Sequence, residues 1–162
     1  MADRFEDLHA WRLSAELKEL VFAFTGKPPV SRDFKYCDQI RESARSAARN
    51  IAEGFGHYYP SESLPFYRIA LASLHETLNH LLDGRKREFL TEAELEQHRR
   101  LNLRAIKALR RLIEYLEGPG AERFNEPHGP REPQFLQNGY NGHTASSALP
   151  NVSASMMRLP PE

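Results

Sequence analysis

Apolar residues recur every three or four positions through most of the first 117 residues, which is the period of helices that bury one face. The first predicted helix covers residues 8–25. Its apolar stripe consists of Ala10, Leu13, Leu17, Leu20 and Phe24. Asp7 is expected to cap its start, and Gly26, which is followed by a proline pair, is expected to end it.

The second predicted helix covers residues 32–53 and has a seam of mostly small residues. The seam consists of Cys37, Ile40, Ala44, Ala47 and Ile51, with Ser43 and Ala48 beside it. Small residues let two helices approach closely, so we expect a tightly packed neighbour on this side. Ser31 is expected to be the N-cap, and Gly54 is expected to lie just past the end.

The third predicted helix covers residues 64–82 and carries a leucine-rich stripe. The stripe residues repeat about every 3.5 positions, as in helix bundles. They are Leu64, Tyr67, Leu71, Leu74, Leu78 and Leu81. Ser63 is expected to cap this helix, and Gly84 is expected to stop it.

The fourth predicted helix begins at Thr91, where Thr91 and Glu94 have the spacing of a capping box, and it ends near Glu117. It has two adjacent seams, one of Ile106, Leu109, Ile113 and Leu116 and one of Leu101, Ala105, Ala108, Leu112 and Tyr115. The second seam, together with Trp11 and Phe22 on the first helix, exceeds what one bundle core needs. We expect a subunit contact there, with variation inside one well-covered core as the alternative.

Four helices with short connections and no strand-like alternation predict an all-α fold. The expected architecture is an antiparallel up-down-up-down four-helix bundle over residues 1–117. Residues 118–162 are rich in proline, glycine, asparagine and serine, and their apolar residues have no fixed period. Such a segment cannot bury enough surface to offset chain entropy, so we expect a disordered C-terminal tail. A short docking segment within it is the alternative.

Charge and cysteine content narrow the functional class. The 22 basic and 22 acidic residues cancel, which excludes a protein that coats nucleic acid by bulk charge. A single cysteine, Cys37, excludes an intramolecular disulfide framework and a multi-cysteine zinc site. The charged N-terminal stretch and the absence of a long apolar run lead us to expect a cytoplasmic protein with no membrane partner.

A distinctive string lies at the junction between the second and third predicted helices. The motifs around it are Asn-Ile-Ala-Glu-Gly-Phe-Gly at residues 50–56, the upstream Gln39-Ile40-Arg41, the downstream stretch at 66–76, and the spaced Phe5, Leu8 and Trp11. Together they resemble the bacterial four-helix-bundle family of 23S rRNA intervening-sequence proteins. The resemblance covers about residues 5–117.

The resemblance implies a four-helix bundle that assembles into a ring-like homopentamer and has no established enzymatic activity. Members are encoded within intervening sequences of large-subunit ribosomal RNA genes or by free-standing genes. The chain also resembles in fold the accessory protein of diversity-generating retroelements, which binds reverse transcriptase and nucleic acid. It departs from the family at His57, where a basic residue is expected, and in the tail after Glu117.

We interpret the family-motif residues as structural; they are Gln39, Asn50, Glu53, Gly54 and Gly56. Gly54 is expected to adopt a positive φ at the helix end, with Gly56 as a second permissive position. Asn50 is expected to hold the loop by bonding to backbone groups. Glu53 opposes the helix dipole, so we expect it to pair with Arg49 or with an arginine of another helix. A catalytic role for Glu53 is the alternative, which the lack of a partnered nucleophile or base disfavours.

Arginine-rich rows are the candidate nucleic-acid-binding residues, and 17 of the 22 basic residues are arginine. The stronger row, on one face of the fourth helix, consists of Arg100, Arg104, Lys107 and Arg111. A second row consists of Arg41, Arg45 and Arg49, and a compact cluster consists of Arg85, Lys86 and Arg87. Guanidinium groups bind phosphate oxygens in a fork, and a ring of subunits would multiply such a row. The alternative is a solvated face whose arginines pair with glutamates.

Enzymatic and metal chemistry have little support. The Glu-x-x-x-His pairs of the sequence lack the Glu-x-x-His spacing of di-iron bundles, so no metal or other cofactor is expected. The Arg-x-x-x-x-His pattern of some helical ribonucleases occurs at Arg4/His9 and Arg123/His128, close to what composition alone produces. Cys37 lies on an apolar seam and is expected to be a core residue.

Three functional hypotheses remain. The first is a non-enzymatic homo-oligomer, a pentamer by resemblance, that binds RNA, DNA or a nucleic-acid-processing protein through arginine-lined faces. The second is a structural protein–protein adaptor without nucleic-acid binding, and a helical-bundle ribonuclease is a distant third. Salt separates the first two hypotheses, because phosphate binding weakens steeply as salt rises and apolar docking does not.

Overall fold

The computed structural model describes residues 3–57 and 59–118. In this part of the chain the α-helices are α1 (His9–Thr25), α2 (Phe34–Gly56), α3 (Pro60–Lys86) and α4 (Glu92–Glu117). Short 3₁₀ turns at Phe5–Asp7 and Val30–Arg32 precede α1 and α2, and no strand occurs within the described ranges. The predicted all-α four-helix fold is confirmed. The predicted disordered tail lies outside the described residues, apart from Gly118.

The helices pack in a closed cyclic order, so that α1 contacts α2, α2 contacts α3, α3 contacts α4, and α4 contacts α1. As the residue number increases along one helix, the number of the residue that it contacts on the neighbouring helix decreases. Examples are Phe22–Arg45 and Thr25–Arg41, then Tyr36–His80 and Ser46–Ser73, then Arg68–Glu117 and His75–Arg110. Each of these three pairs of neighbouring helices is therefore antiparallel.

The core consists mainly of the stripe residues that the sequence pattern selects. Members that solvent barely touches include Leu17, Val21, Ile40, Ile51, Leu74, Leu81 and Leu109. Burial of each such side chain contributes about 1.5–3 kcal/mol to folding. The stripe of α3 is only partly inside, since Leu64, Leu71 and Leu78 are half-buried.

Small and hydroxyl residues let α2 and α3 approach closely, as the small-residue seam predicts. Thr77 Oγ1 donates to Ser43 Oγ across the contact at 2.9 Å. Ser46 Oγ and Ser73 Oγ share a hydrogen bond of 2.8 Å one step along the same seam. These bonds satisfy hydroxyl groups that would otherwise be costly to bury.

The starts of the first two helices differ from the prediction. Asp7 ends a 3₁₀ turn instead of capping α1, and its carboxylate accepts a hydrogen bond of 2.9 Å from Arg12. Ser31 lies inside the turn Val30–Arg32, so the N-cap of α2 is Asp33, whose Oδ1 accepts from the Tyr36 amide at 3.0 Å. The residues between the proline pair and α2 form a turn of their own, which moves the helix start to Phe34.

The predicted stop at Gly26 is confirmed, since α1 ends at Thr25. The predicted stops at Gly54 and Gly84 are wrong, because Gly54 lies within α2 and Gly84 lies within α3. α3 begins at Pro60 and not after Ser63, whose hydroxyl donates to the Tyr59 carbonyl from inside the helix. A proline suits a first helical position because its φ is already fixed near the helical value. The chain reverses after α3 at Glu88, which has a φ of 61°.

The predicted capping box of α4 is confirmed. Thr91 Oγ1 accepts from the Glu94 amide at 3.2 Å, and Glu94 Oε2 accepts from the Thr91 amide at 2.8 Å. Within the described residues, no helix combines the length and the apolarity that crossing a bilayer requires.

Candidate nucleic-acid interface

The row on α4 forms an exposed ridge, here called the α4 ridge, which consists of Arg100, Arg104, Lys107 and Arg111. The steps of four, three and four residues keep these side chains on one side of the helix. The opposite side is in the core, where Ala105 and Leu109 are fully buried. The ridge extends for about 16 Å at the helical rise, which matches about five phosphates along one strand of a duplex.

The ridge is largely unpaired. Arg100 lies 3.9 Å from Glu96 and remains 75% exposed, so this contact is weak. Arg104, Lys107 and Arg111 form no ion pair or hydrogen bond through their side chains within residues 3–57 and 59–118. These three cations can therefore bind a phosphate without first breaking an ion pair with a carboxylate.

Two arginines of the second row, Arg41 and Arg45, lie at the α1–α2 contact. Arg41 Nε donates to Thr25 Oγ1 at 2.7 Å, and the Arg41 and Arg45 guanidinium groups lie 5.2 and 4.7 Å from the centre of the Phe22 ring. Arg49 binds the Glu42 carboxylate at 3.1 Å. This row covers an apolar side chain and neutralises an acid, which leaves it less available to phosphate than the α4 ridge.

The compact basic cluster before α4 is mostly engaged within the chain. Arg87 binds Asp33 at 3.0 Å and Asp83 at 2.8 Å. Arg85 binds Glu92 at 3.2 Å. These pairs join the start of α2, the end of α3 and the start of α4, so they hold one end of the bundle together.

Gly54 of the family motif lies at the α2–α3 contact, and the described hydrogen bonds of Asn50 lie within α2. The backbone of Gly54 is helical, and an added Cβ would lie 2.7 Å from Cε1 of Tyr67, so the predicted positive φ is wrong. Asn50 Nδ2 donates to Ser46 O at 2.8 Å, and its described contacts lie within α2 and not in the loop. Ser46 in turn contacts Ser73 of α3, so the motif positions two helices.

The other motif residues are at the surface. Glu53 is exposed and has no ion pair among the described residues, so its predicted arginine partner is not found there. Gly56 is the exposed last residue of α2, and Gln39 is exposed beside α3. His57, where the resemblance leads us to expect a basic residue, stacks on Phe66 with ring centroids 4.7 Å apart.

The exposed apolar residues are not the ones that the seams predict. Trp11 packs edge-on against Phe5 with ring centroids 5.1 Å apart, and the arginines of α2 cover Phe22. In the described part of the chain, the large apolar side chains that remain exposed are Phe34, Tyr59, Ile69, Leu82, Leu103 and Tyr115. Of these only Tyr115 belongs to a predicted seam. The exposure of Leu82 and Leu103 could have been predicted from the sequence, because both residues lie off the apolar stripes of α3 and α4.

A groove of about 700 Å³ lies between α1 and α4 beside the ridge. Arg100 and Arg104 line it, but Glu16, Glu19 and Glu96 line it as well. The three carboxylates repel phosphate, and this repulsion offsets the attraction of phosphate to the two guanidinium groups. An anion therefore has a better approach from the outer side of the ridge than from the groove.

The enzymatic candidates show no catalytic geometry among the described residues. Arg4 binds Glu6 at 2.7 Å, and His9 is exposed at the start of α1. Cys37 is buried, its Sγ donates to Val30 O, and burial raises the pKa of its thiol. No group of three or more histidine, cysteine or carboxylate side chains that could hold a metal is present in the described part. The second Arg-x-x-x-x-His match, Arg123/His128, lies outside the described residues.

The model of the family described as 23S rRNA-intervening sequence protein matches residues 6–111. That range contains α1, α2, α3 and most of α4, including the whole α4 ridge. The comparison with curated proteins gives no match. Since the family model covers about two thirds of the sequence, the chain belongs to the 23S rRNA-intervening sequence protein family.

Proposed function

We propose that this protein is a non-enzymatic homo-oligomeric bundle that binds nucleic acid, or a protein that processes nucleic acid, through the α4 ridge. The observation that carries this proposal is the exposure of Arg104, Lys107 and Arg111 without an acidic partner in the described part of the chain. The family resemblance favours five subunits. A ring would present one ridge from each subunit, so a patch of modest charge would become a large one.

The chemistry of the ridge favours contact with the phosphate backbone. Its members are guanidinium and ammonium groups, which bind phosphate and carry no sequence information in that contact. If each subunit neutralises about four phosphates, the logarithm of affinity falls by about 3.6 per decade of salt. Binding to one subunit is then about 150-fold weaker at 200 mM salt than at 50 mM salt.

The test compares two variants that change the net charge equally. The ridge variant is Arg104→Glu, Lys107→Glu and Arg111→Glu. The control is Lys27→Glu, Arg32→Glu and Lys35→Glu, which changes three exposed cations near the α1–α2 connection. Affinity for a short structured RNA and a duplex DNA is measured by fluorescence anisotropy at low and high salt.

We expect the ridge variant to bind at least about 100-fold more weakly than wild type at low salt and to lose most of the salt dependence. The control variant should keep its affinity at low salt within a few-fold of wild type, and it should keep the salt dependence of wild type. Equal losses in both variants would show that only net charge matters. Unchanged binding in the ridge variant would remove α4 as the interface.

A protein–protein adaptor is the second candidate function, because Leu82 and Leu103 are 43% and 44% exposed. Apolar docking would persist at high salt, where phosphate binding is lost. If the protein binds no RNA or DNA at low salt but retains a protein partner at high salt, the adaptor replaces the nucleic-acid binder. A ribonuclease would require cleavage that His9→Ala abolishes, and unchanged cleavage would discard that motif.

A further inference from the structure

A pocket of about 540 Å³ lies between α2 and the last turns of α3. Gln39 of α2 lines this pocket, here called the α2–α3 pocket, together with residues of α3 between Asn79 and Lys86. Its volume is in the range of protein sites that hold one small molecule or cofactor.

Two charged side chains of the lining are already engaged within the chain. Asp83 binds Arg87 at 2.8 Å, and Arg85 binds Glu92 at 3.2 Å. Because a guanidinium group holds the Asp83 carboxylate, this carboxylate repels an incoming phosphate less than an unpaired acid would.

Three other lining side chains, those of Gln39, Asn79 and Lys86, are exposed. None of them forms a hydrogen bond or an ion pair within residues 3–57 and 59–118. Each amide presents hydrogen-bond donors beside an acceptor, and the ammonium group of Lys86 can pair with a phosphate. These three side chains are therefore available to a ligand. Gln39 is also a family-motif residue to which the described hydrogen bonds give no role.

The apolar part of the lining is Leu82, which is 43% exposed. An aliphatic side chain can cover one face of a planar ring and remove apolar surface from water. An unpaired nucleotide needs three kinds of contact, which are hydrogen bonds to the base edge, cover for the base face and a cation for the phosphate. The α2–α3 pocket offers all three.

The pocket and the α4 ridge are close to each other across the contact between α3 and α4. His75 contacts Arg110 at 3.4 Å, and these two helices are antiparallel. A step of seven residues, or two turns, along each helix places Leu82 opposite Leu103, which directly precedes Arg104 of the ridge. Packed helices lie about 8–10 Å apart, so a strand whose phosphates lie on the ridge reaches the pocket within a few nucleotides.

We propose that the α2–α3 pocket binds one unpaired nucleobase, preferably adenine, of a strand whose phosphates lie on the α4 ridge. The amides of Gln39 and Asn79 bind the base edge, Leu82 covers one face, and Lys86 binds the adjoining phosphate. Adenine fits because an amide can donate to one of its ring nitrogens while accepting from its amino group, as asparagine and glutamine do in base recognition.

The proposal rests on the nucleic-acid-binding part of the proposed function and names the substrate class. A base inside a duplex is stacked and paired, so the pocket cannot enclose it. The substrate is therefore a single strand or a loop, and a regular duplex binds through the ridge alone.

The test uses the pocket variant Gln39→Ala and Asn79→Ala, which removes both amides and no charge. The control is Gln97→Ala, which removes an exposed amide beside the ridge and outside the α2–α3 pocket. Fluorescence anisotropy measures the affinity for a short oligouridylate, for the same strand with one central adenosine, and for a duplex of equal length. All three substituted positions are exposed, so both variants should retain the helical circular dichroism of wild type.

Wild type should bind the strand that contains adenosine about tenfold more tightly than the oligouridylate. The pocket variant should lose this preference and should bind the duplex as wild type does. Its salt dependence should be unchanged, because no cation is removed. The control variant should behave as wild type with all three nucleic acids.

A second measurement detects the base without a strand. Adenosine monophosphate at millimolar concentration is added to wild type, and the side-chain amide signals are followed by nuclear magnetic resonance. The signals of Gln39 and Asn79 should shift, whereas the signal of Gln97 should not.

The outcomes separate this proposal from the proposed function. If wild type binds the strands in a salt-dependent manner but the pocket variant binds all three nucleic acids equally well, the pocket is not a base site and the proposed function stands. An equal loss of affinity for the duplex and the strands would show that the amides contact the backbone, which also contradicts base recognition. If wild type binds no nucleic acid at low salt, the proposal and nucleic-acid binding fail together.

Discussion

Gly54→Ala tests the close approach of α2 to α3. An added Cβ would lie 2.7 Å from Cε1 and 3.0 Å from Cδ1 of Tyr67, and real Cβ contacts are not this short. The Tyr67 ring is only 4% exposed and lies among core residues, so it cannot turn into solvent. The methyl group must therefore push the two helices apart or force the ring away from its preferred rotamer.

Two opposing terms set the magnitude. Overpacking of a dense core costs about 1–3 kcal/mol. Replacing glycine by alanine inside a helix stabilises by about 0.5–1 kcal/mol. The net loss in the free energy of unfolding should be about 0.5–2 kcal/mol. Gly56 is the matched control, since it lies in the same helix and an added Cβ there meets no atom within 4 Å.

The assay is urea denaturation followed by circular dichroism. All variants are compared at one protein concentration, because self-association adds to apparent stability. Gly56→Ala should be neutral or slightly stabilising. If Gly54→Ala is as stable as Gly56→Ala, the described approach of the helices is wrong. In a Tyr67→Leu background the cost of Gly54→Ala should shrink, which a double-mutant cycle measures.

Three further predictions concern a helix cap, a core thiol and a partly buried arginine contact. Hydrogen bonds from the Thr91 hydroxyl and amide lower the pKa of Glu94. The Glu94 carboxylate therefore stabilises the folded state at a pH above the pKa that Glu94 has in the unfolded chain. This stabilisation is lost as the pH falls through the lower pKa that Glu94 has in the folded protein. Urea denaturation should find wild type more stable than Glu94→Gln at about pH 7 and equal to it at about pH 3; a constant difference would contradict the cap. Burial raises the pKa of Cys37, so a thiol-reactive dye should label it only after unfolding, and prompt labelling of the native protein would contradict its placement. Arg41→Ala removes the hydrogen bond to Thr25 and should cost about 1–3 kcal/mol of unfolding free energy, against less than about 0.5 kcal/mol for the exposed Lys35→Ala.

The sequence pattern predicts what depends on local periodicity. The four helices and most of the core follow from the spacing of apolar residues, because a helix at a bundle surface must bury one stripe. The capping box at Thr91 is equally local, since both of its hydrogen bonds form within one turn. Exposure of the α4 ridge follows from the same spacing, because its members lie opposite the buried stripe.

The sequence pattern fails to predict helix ends where the packing of a side chain from another helix determines the local structure. Gly54 and Gly84 have the local features of helix stops, but each lies inside a helix against a tyrosine from another helix. At Gly84 an added Cβ would overlap the hydroxyl of Tyr36, which donates to the carbonyl of His80. These glycines permit close packing, and no local rule identifies the tyrosine that requires it.

Contacts with distant residues also determine which arginines of the predicted rows are engaged within the bundle and which are unpaired. Arg41 has the spacing of a phosphate-binding row, but its guanidinium binds Thr25 and covers Phe22, which the sequence places 16 and 19 residues away. The same contact explains why Phe22 is not part of an exposed apolar face. Only the tertiary arrangement distinguishes such an arginine from the unpaired cations of the α4 ridge.

The most direct test of nucleic-acid binding by an oligomeric bundle is size-exclusion chromatography with light scattering. The purified protein is run alone and with a short structured RNA, at a low and a high salt concentration. We predict a mass near five subunits that increases with RNA only at low salt. An oligomer whose mass RNA never changes would contradict nucleic-acid binding, and a monomer under all conditions would contradict the assembly.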